Sequence, residues 1–263
     1  MTTLVTGLYV PGNRPDRFDK AVATGADLVI LDLEDAVPAE EKARAREAVA
    51  AWLATARVDC LLQVRVNEDA ADDLAALAGL SGFEVRLPKV ESPAQVDRVT
   101  SRLPGVPVTA LLETAFGVEH ASAIAAHPAV TRLGLGESDL ASELGTRSDA
   151  VLDHARVRLL YAARAADLPA PMLSAYPAIK DLAGLRTDTE RGRALGWYGR
   201  VAIHPAQLPV IAEVFAPSEQ DRTWAEEVLA ATAEGGVTTL SNGEMVDPAM
   251  IGRAKAILSR GQA

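Results

Sequence analysis

The sequence predicts an α/β protein of the (β/α)8 TIM-barrel class, followed by a small C-terminal helical lid segment. Three observations predict it. Short runs of β-branched and aliphatic residues alternate with longer Ala-rich stretches, the pattern of βαβ units on a parallel sheet. About eight such runs fit within roughly the first 200 residues, which suits a closed barrel better than an open sheet. Aromatic residues are scarce at 4%, so Val, Leu, Ile and Ala must build the core, as they do in sheets covered on both faces by helices.

Taken in order, the strand-like runs are 4–10, 28–33, 60–66, 83–87, 106–112, 132–135, 171–174 and 200–203. Helical patterns fill 14–24, 39–56, 92–102, 118–127 and 148–166. Ser92-Pro93 reads as an N-cap with proline at the first helical position. Glu40 and Glu41 put acids in a first turn, where they complement the helix dipole. An open doubly wound sheet is the alternative, but it would advertise a Gly-rich first turn, and this turn reads Val10-Pro11-Gly12-Asn13-Arg14. After Pro217 the texture changes: an amphipathic helix over 218–233, a break at Gly235-Gly236, a short extended piece at 237–240 and a final helix over 248–260. The chain therefore divides into a catalytic barrel, 1–216, and a lid or oligomerisation segment, 217–263.

With 263 residues, 49% of them hydrophobic, the chain can bury a sizeable core. The formal net charge of −10 disfavours nucleic acid and anionic membrane surfaces as partners. It leaves room for an anionic small molecule where basic residues cluster. The single cysteine, Cys60, cannot form an internal disulfide and reads as a core residue. No run approaches the roughly 18 apolar residues of a membrane helix, and no signal peptide is apparent, so a cytoplasmic protein is expected.

In such a barrel the C-terminal ends of the strands face the active site. Those ends are polar here: Asp32, Glu34 and Asp35 after the second run, Arg65 and Asn67 at the third, Lys89 and Glu91 at the fourth, Glu113 at the fifth, Glu137 and Asp139 at the sixth, and His204 at the eighth. Carboxylates crowded into one low-dielectric mouth raise one another's pKa unless a cation neutralises them. Only oxygen ligands are on offer, and a few carboxylates with waters and substrate oxygens suit Mg2+, with Mn2+ fitting the same set.

Seven motifs occur in register with these strand ends: Tyr9-Val10-Pro11-Gly12-Asn13-Arg14-Pro15, Asp32-Leu33-Glu34-Asp35-Ala36-Val37, Arg65-Val66-Asn67, Leu87-Pro88-Lys89-Val90-Glu91-Ser92, Leu112-Glu113-Thr114, Gly136-Glu137-Ser138-Asp139-Leu140 and Ala202-Ile203-His204-Pro205-Ala206-Gln207. Together they resemble the citrate lyase β-subunit-like family of the HpcH/HpaI aldolase/citrate lyase superfamily, which includes malyl-CoA and citramalyl-CoA lyases. The resemblance implies a Mg2+-dependent carbon–carbon lyase acting on a CoA thioester and a keto acid. It implies that Glu113 and Asp139 hold the metal, that Arg65 and Glu113 meet substrate, and that Glu34 and Asp35 orient Arg65 or metal-bound water. It implies that Arg14, Arg17 and Lys20 meet the CoA phosphates. Gly243-Glu244-Met245-Val246-Asp247 matches a C-terminal segment whose Asp serves a neighbouring subunit's site, which makes Asp247 the expected acid/base. A homo-oligomer, a trimer or a multiple of it, is implied, and an acyl-carrier partner is conceivable by analogy with citrate lyase. Many relatives carry an acid near the end of the seventh strand where this chain has Leu173-Ser174-Ala175, which bears on substrate choice.

Each residue also has a purely structural reading. Glu113 and Arg65 could be buried ion-pair partners, Asp139 an N-cap near Leu140, and Glu34 and Asp35 caps of the next helix. Arg14, Arg17 and Lys20 could form a solvated helix face, and Asp247 before Pro248 an N-cap. His204 reads as structural, and His120, His127 and His154 have no ligand spacing. Three rival functions stand beside the lyase: a malate or citramalate synthase-thioesterase using acetyl- or propionyl-CoA and glyoxylate, a CoA-independent class II keto-acid aldolase, and a subunit of a citrate lyase complex.

Overall fold

A computed structural model of the chain describes residues 4–232, 238–240 and 242–260. They fall into two compact units, the first spanning Leu4–Val214 and the second the described residues from Phe215 onward.

The first unit is built on a parallel sheet of seven strands, β1 (Thr6–Pro11), β2 (Leu28–Asp32), β3 (Leu61–Arg65), β4 (Glu84–Leu87), β5 (Val108–Leu112), β6 (Val130–Leu135) and β7 (Arg200–Ala202), in the order β6-β5-β4-β3-β2-β1-β7. Its middle is a continuous apolar run because both faces are covered: Leu28, Val29, Ile30 and Leu31 have no exposure at all. Helices follow the strands: α1 (Phe18–Val22), α2 (Lys42–Thr55), α3 (Ala71–Leu77), α4 (Pro93–Arg102), α5 (Ala115–Glu119), α6 (Ala121–Ala125), α7 (Glu137–Leu144), α8 (Asp149–Ala165), α9 (Leu182–Ala194) and α10 (Leu208–Phe215). The Gln95 side chain accepts from the Ser92 N–H at 3.0 Å, which fixes the start of α4.

The expected strand 171–174 is not a laddered strand. It makes one parallel bridge to each edge of the sheet, Met172 to Gly134 and Leu173 to Arg200. Pro171 has no N–H to offer a ladder, which keeps the pairing minimal. The architecture is thus an α/β fold on a curled seven-strand parallel sheet. The expected helix 118–127 divides into α5 and α6, the helix expected near Leu140 is α7 and starts earlier, at Glu137, and α3, α9 and α10 lie outside the helical runs named above. Cys60 lies just before β3 and is only half-buried, so it is not a core residue.

The second unit contains α11 (Glu219–Ala231), a short antiparallel pair β8 (Thr238–Thr239) and β9 (Met245–Val246), and α12 (Ile251–Arg260). Ala225, Val228, Leu240, Val246, Ala254 and Ile257 form its small core. The expected break at Gly235-Gly236 lies outside the described residues, as do Ala233 and Val237. Among the described residues no helix is long and apolar enough to cross a membrane.

Candidate active site

The C-terminal ends of β1 to β6 surround a cavity of about 420 Å3. Tyr9, Asp32, Asp35, Arg65, Arg86, Glu113, Glu137, Asp139 and Ser174 line it. This is the end at which α/β folds of this kind place their chemistry.

One wall is an ion-paired cluster. Parallel register sets Asp32 of β2 beside Arg65 of β3, so the two side chains leave the same face. Arg65 Nε donates to Asp32 Oδ1 at 2.7 Å and Nη2 to Oδ2 at 2.6 Å, a fork that fixes the guanidinium plane. Its Nη1 lies 2.8 Å from Glu34 Oε2 and donates to Asp35 Oδ2 at 3.2 Å. Tyr9 contributes its ring face, 5.0 Å from Arg65 Cζ. Asp32 also accepts from the Glu34 N–H at 2.9 Å, so one carboxylate ties the turn after β2 to β3. Burial pushes the Glu34 carboxyl up to about 8, against the pull of Arg65 and with the charges of Asp35, Glu113 and Asp32 adding to the rise.

The opposite wall is acidic, and two of its three acids, Glu113 and Asp139, are unpaired among the described residues. Glu113, at the end of β5, is buried, and neither it nor Asp139 makes an ion pair among the described residues. Burial raises the Glu113 pKa first, and the Asp139 charge raises it further. Glu113 Oε2 accepts the Lys89 N–H at 3.0 Å. Lys89 adopts a left-handed backbone, φ 48°, which is uncommon for a residue with a Cβ and here aims that N–H at the carboxylate. Gly136 is required beside it, because a Cβ there would stand 2.3 Å from the Glu113 side chain. Asp139 sits in the first turn of α7, whose N-cap is Gly136, so it is not the N-cap that its sequence position allowed. Glu137, the first residue of α7, is gripped by the buried Arg156 through Nε to Oε1 at 2.9 Å and Nη2 to Oε2 at 2.7 Å. Arg156 is held in turn by Asp153 at 3.1 Å, and its carbonyl accepts the Trp197 indole N–H at 3.0 Å.

The fit of this wall to a divalent cation rests on its chemistry. Two like charges face one cavity, one of them desolvated, and a dication would relieve both. Among the described residues no group of three or more His, Cys, Asp or Glu has metal-holding geometry, so the protein would supply two carboxylates and leave the other positions to water and substrate.

The remaining expected residues are dispersed. Arg14 is forked onto Asp16 at 2.8 Å, while Arg17 and Lys20 are exposed; none of the three lines the cavity. Glu34 and Asp35 do not cap the next helix, whose preceding 3-10 turn starts after Pro38. Asp247 accepts from the Ala249 N–H at 2.8 Å and caps the 3-10 turn Pro248–Met250. His204 likewise accepts from the Ala206 N–H at 3.1 Å. One cavity residue, Arg86, escaped the sequence reading, and one expected residue, Asp32, has a different role. Asp32, not Glu34, is the main partner of Arg65, and Arg86 lies at the cavity wall although its strand looks apolar. The signal for Arg86 was period-two alternation, which puts Glu84 and Arg86 on one face of β4 and Val85 on the other.

Comparisons with known proteins identify the family. The family model described as HpcH/HpaI aldolase/citrate lyase matches residues 5–205. A (3S)-malyl-CoA thioesterase of Cereibacter sphaeroides is 38% identical, with 97% of this chain and 94% of that protein covered. A citrate lyase subunit beta-like protein of Mycobacterium tuberculosis is 37% identical, with 96% and 94% covered. The crystal structure of protein CitE from Mycobacterium tuberculosis in complex with magnesium, acetoacetate and coenzyme A superposes with a TM-score of 0.87 at 35% identity, covering 100% of this chain and 99% of that one.

Proposed function

We propose that this chain, which belongs to the HpcH/HpaI aldolase/citrate lyase family, is a Mg2+-dependent carbon–carbon lyase that cleaves or forms a 3-hydroxyacyl-CoA of the malyl-, citramalyl- or citryl-CoA type. The observation that carries the reading is the acidic wall: a buried Glu113, its pKa raised by burial and by Asp139, facing a cavity with no cation paired to either acid among the described residues. The magnesium in the related crystal structure supports Glu113 and Asp139 as its ligands here. Bound there, the ion would act as a Lewis acid toward oxygen charge that develops as the C–C bond breaks.

The chain's own residues do the rest. Arg65, locked by Asp32, would present a guanidinium of fixed orientation to the keto-acid oxygens without reorganising. Glu34, raised to about 8, holds a proton at neutral pH beside that wall and keeps the local charge from becoming still more negative. Lys89, through its backbone N–H, fixes one oxygen of Glu113 and leaves the other free. Asp247 is our candidate to move a proton at the thioester α-carbon, delivered from a second copy of the chain in a trimer or a multiple of it. Its capping bond to Ala249 is compatible with that role, since one oxygen caps and the other stays available. Arg14, Arg17 and Lys20 would meet the CoA phosphates. We further read 171–174 as the eighth stave of a closed barrel, 217–263 as a lid, and the protein as cytoplasmic.

The test is a panel of malyl-, citramalyl-, citryl- and hydroxymethylglutaryl-CoA with Mg2+ and with EDTA. One ester should be split to acyl-CoA and keto acid, and EDTA should stop it; EDTA-resistant cleavage would sink the reading. A second reading, hydrolysis of malyl-CoA, draws support from the related thioesterase. Release of free CoA in place of acetyl-CoA would favour it. Turnover of a carrier-protein thioester but of no free CoA ester would favour a lyase subunit. Retained CoA-ester turnover in D247A would dismiss the lid assignment. If two copies share a site, mixing inactive D247A and E113Q subunits should recover part of the activity.

A further inference from the structure

We propose that Arg86 is a specificity-determining residue: it is the guanidinium that reads the carboxylate of the small keto-acid substrate. The inference rests on the lyase reading above and assigns a role to a residue outside the motifs that identified the family. Parallel register places Asp32, Arg65, Arg86 and Thr109 side by side across β2 to β5, all on one face. Two guanidiniums therefore lie next to each other in one row, with the Tyr9 ring facing both at 5.0 and 5.6 Å.

Their electrostatic situations differ. Arg65 is committed: the Asp32 carboxylate takes Nε and Nη2, and Glu34 and Asp35 face Nη1. An incoming anion meets there a cation whose Nε and Nη2 are taken by Asp32 and whose charge is offset by Asp32 and Asp35. Arg86 has only neutral partners. Its Nε donates to the Tyr9 hydroxyl at 2.9 Å and its Nη1 to Gln63 Oε1 at 3.1 Å. Among the described residues it makes no ion pair, and its Nη2 makes no hydrogen bond. Arg86 is 6% exposed, yet it lines the cavity with Glu113 and Asp139. Gly134 leaves Nη2 its space, since a Cβ at that position would stand 3.3 Å from it.

A buried cation without a counter-anion is unfavourable and calls for one. Among the described residues no carboxylate forms an ion pair with it; Glu113 feels its charge only at longer range, and Gln63 beneath Arg86 is bonded to Glu84 at 2.8 Å. The planar fork of a guanidinium matches a carboxylate, and the carboxylate of an α-keto acid is small enough to reach the wall of a 420 Å3 cavity. Arg86 thereby selects for a substrate half that carries a carboxylate, while Glu113 and Asp139 hold the metal at the opposite wall.

Oxalate, a stable mimic of an α-keto acid, is the probe. Calorimetry on the Mg2+-loaded protein would measure its binding to wild type, R86K, R86M and Y9F, and Mn2+ titration by electron paramagnetic resonance would report metal binding separately. R86M should bind oxalate about 100-fold more weakly and R86K about 10-fold, with Mn2+ affinity changed by no more than about twofold. If R86M does not fold, R86K and Y9F carry the test; Y9F, which removes the anchor of Nε, should bind oxalate severalfold more weakly. In steady state R86K should raise the KM for the keto acid more than it lowers kcat. Oxalate binding within about twofold of wild type in R86K and Y9F overturns this inference alone. Failure of the wild-type protein to bind oxalate with Mg2+ overturns the lyase reading and this inference with it.

Discussion

The two walls of the cavity hold similar numbers of acids and treat them in opposite ways. On the β2–β3 side Asp32, Glu34 and Asp35 converge on Arg65, and the cluster is close to neutral and rigid. On the β5–β6 side Glu113 and Asp139 face the cavity with no ion pair of their own among the described residues, and burial, then the Asp139 charge, raises the Glu113 pKa. The difference separates scaffold from site. A carboxylate whose cation is part of the chain keeps the wall in shape, whereas one with no cation of the chain beside it is, on the reading proposed above, a metal ligand.

Substitutions can break or sharpen this contrast. The largest effect should come from the unpaired wall. E113Q and D139N should lower turnover by roughly a thousandfold or more, because several kcal/mol of charge stabilisation go with the metal. The same variants should melt no lower than wild type in EDTA, since each removes a repulsion. A thermal melt in EDTA beside an assay of acyl-CoA release checks both halves, and a clear loss of stability would mean these acids are scaffold after all.

R65M should do the reverse to the fold. It strands the buried Asp32 carboxylate, at a cost of about 3–5 kcal/mol in stability. Urea unfolding of the metal-free protein would read it, and an undiminished midpoint would contradict the pairing described.

A smaller effect is expected at Arg156, which does not itself line the cavity but grips Glu137, two residues before Asp139. R156M should weaken Mn2+ binding about 10- to 100-fold, the range for residues that orient a metal ligand through another group. R156K should recover part of it. Equal metal affinity in all three proteins would make Arg156 a fold residue only.

The last effect is a pH dependence. The Glu34 pKa is about 8 in the fold against an ordinary value of 4.5. Between those values the folded protein holds a proton that the unfolded chain has released, so stability falls as pH rises through that window. In EDTA, E34Q should therefore gain in melting temperature over wild type as pH climbs from 5 to 8, and the gain should level off above it. A pH-independent difference would show that Glu34 is ionised throughout.

Much of this was legible in the chain. Asp32, Arg65, Glu113 and Asp139 each follow an apolar run, and strand ends in an alternating β/α pattern converge on one mouth, so their meeting could be read without coordinates. Roles were less legible than membership. Asp32 stands two residues before Glu34, and only the β2–β3 register decides which of them forks Arg65. Arg86 was hidden because β4 spans only Glu84–Leu87, too short for its alternation to stand out. The run 171–174 looked like the other strands, but Pro171 and the spacing of its neighbours allow single bridges rather than a ladder.

What the sequence determined by itself was therefore the order of elements, the polar residues at their ends and the family to which they belong. These are local properties, set by hydrophobic period, by proline and glycine placement and by residue type. Tertiary structure alone decided which acids share a cation and which are left without one. Pairing depends on distances of 3 Å between side chains more than twenty residues apart, such as Asp32 and Arg65, and those distances come from register and burial, which no local pattern encodes.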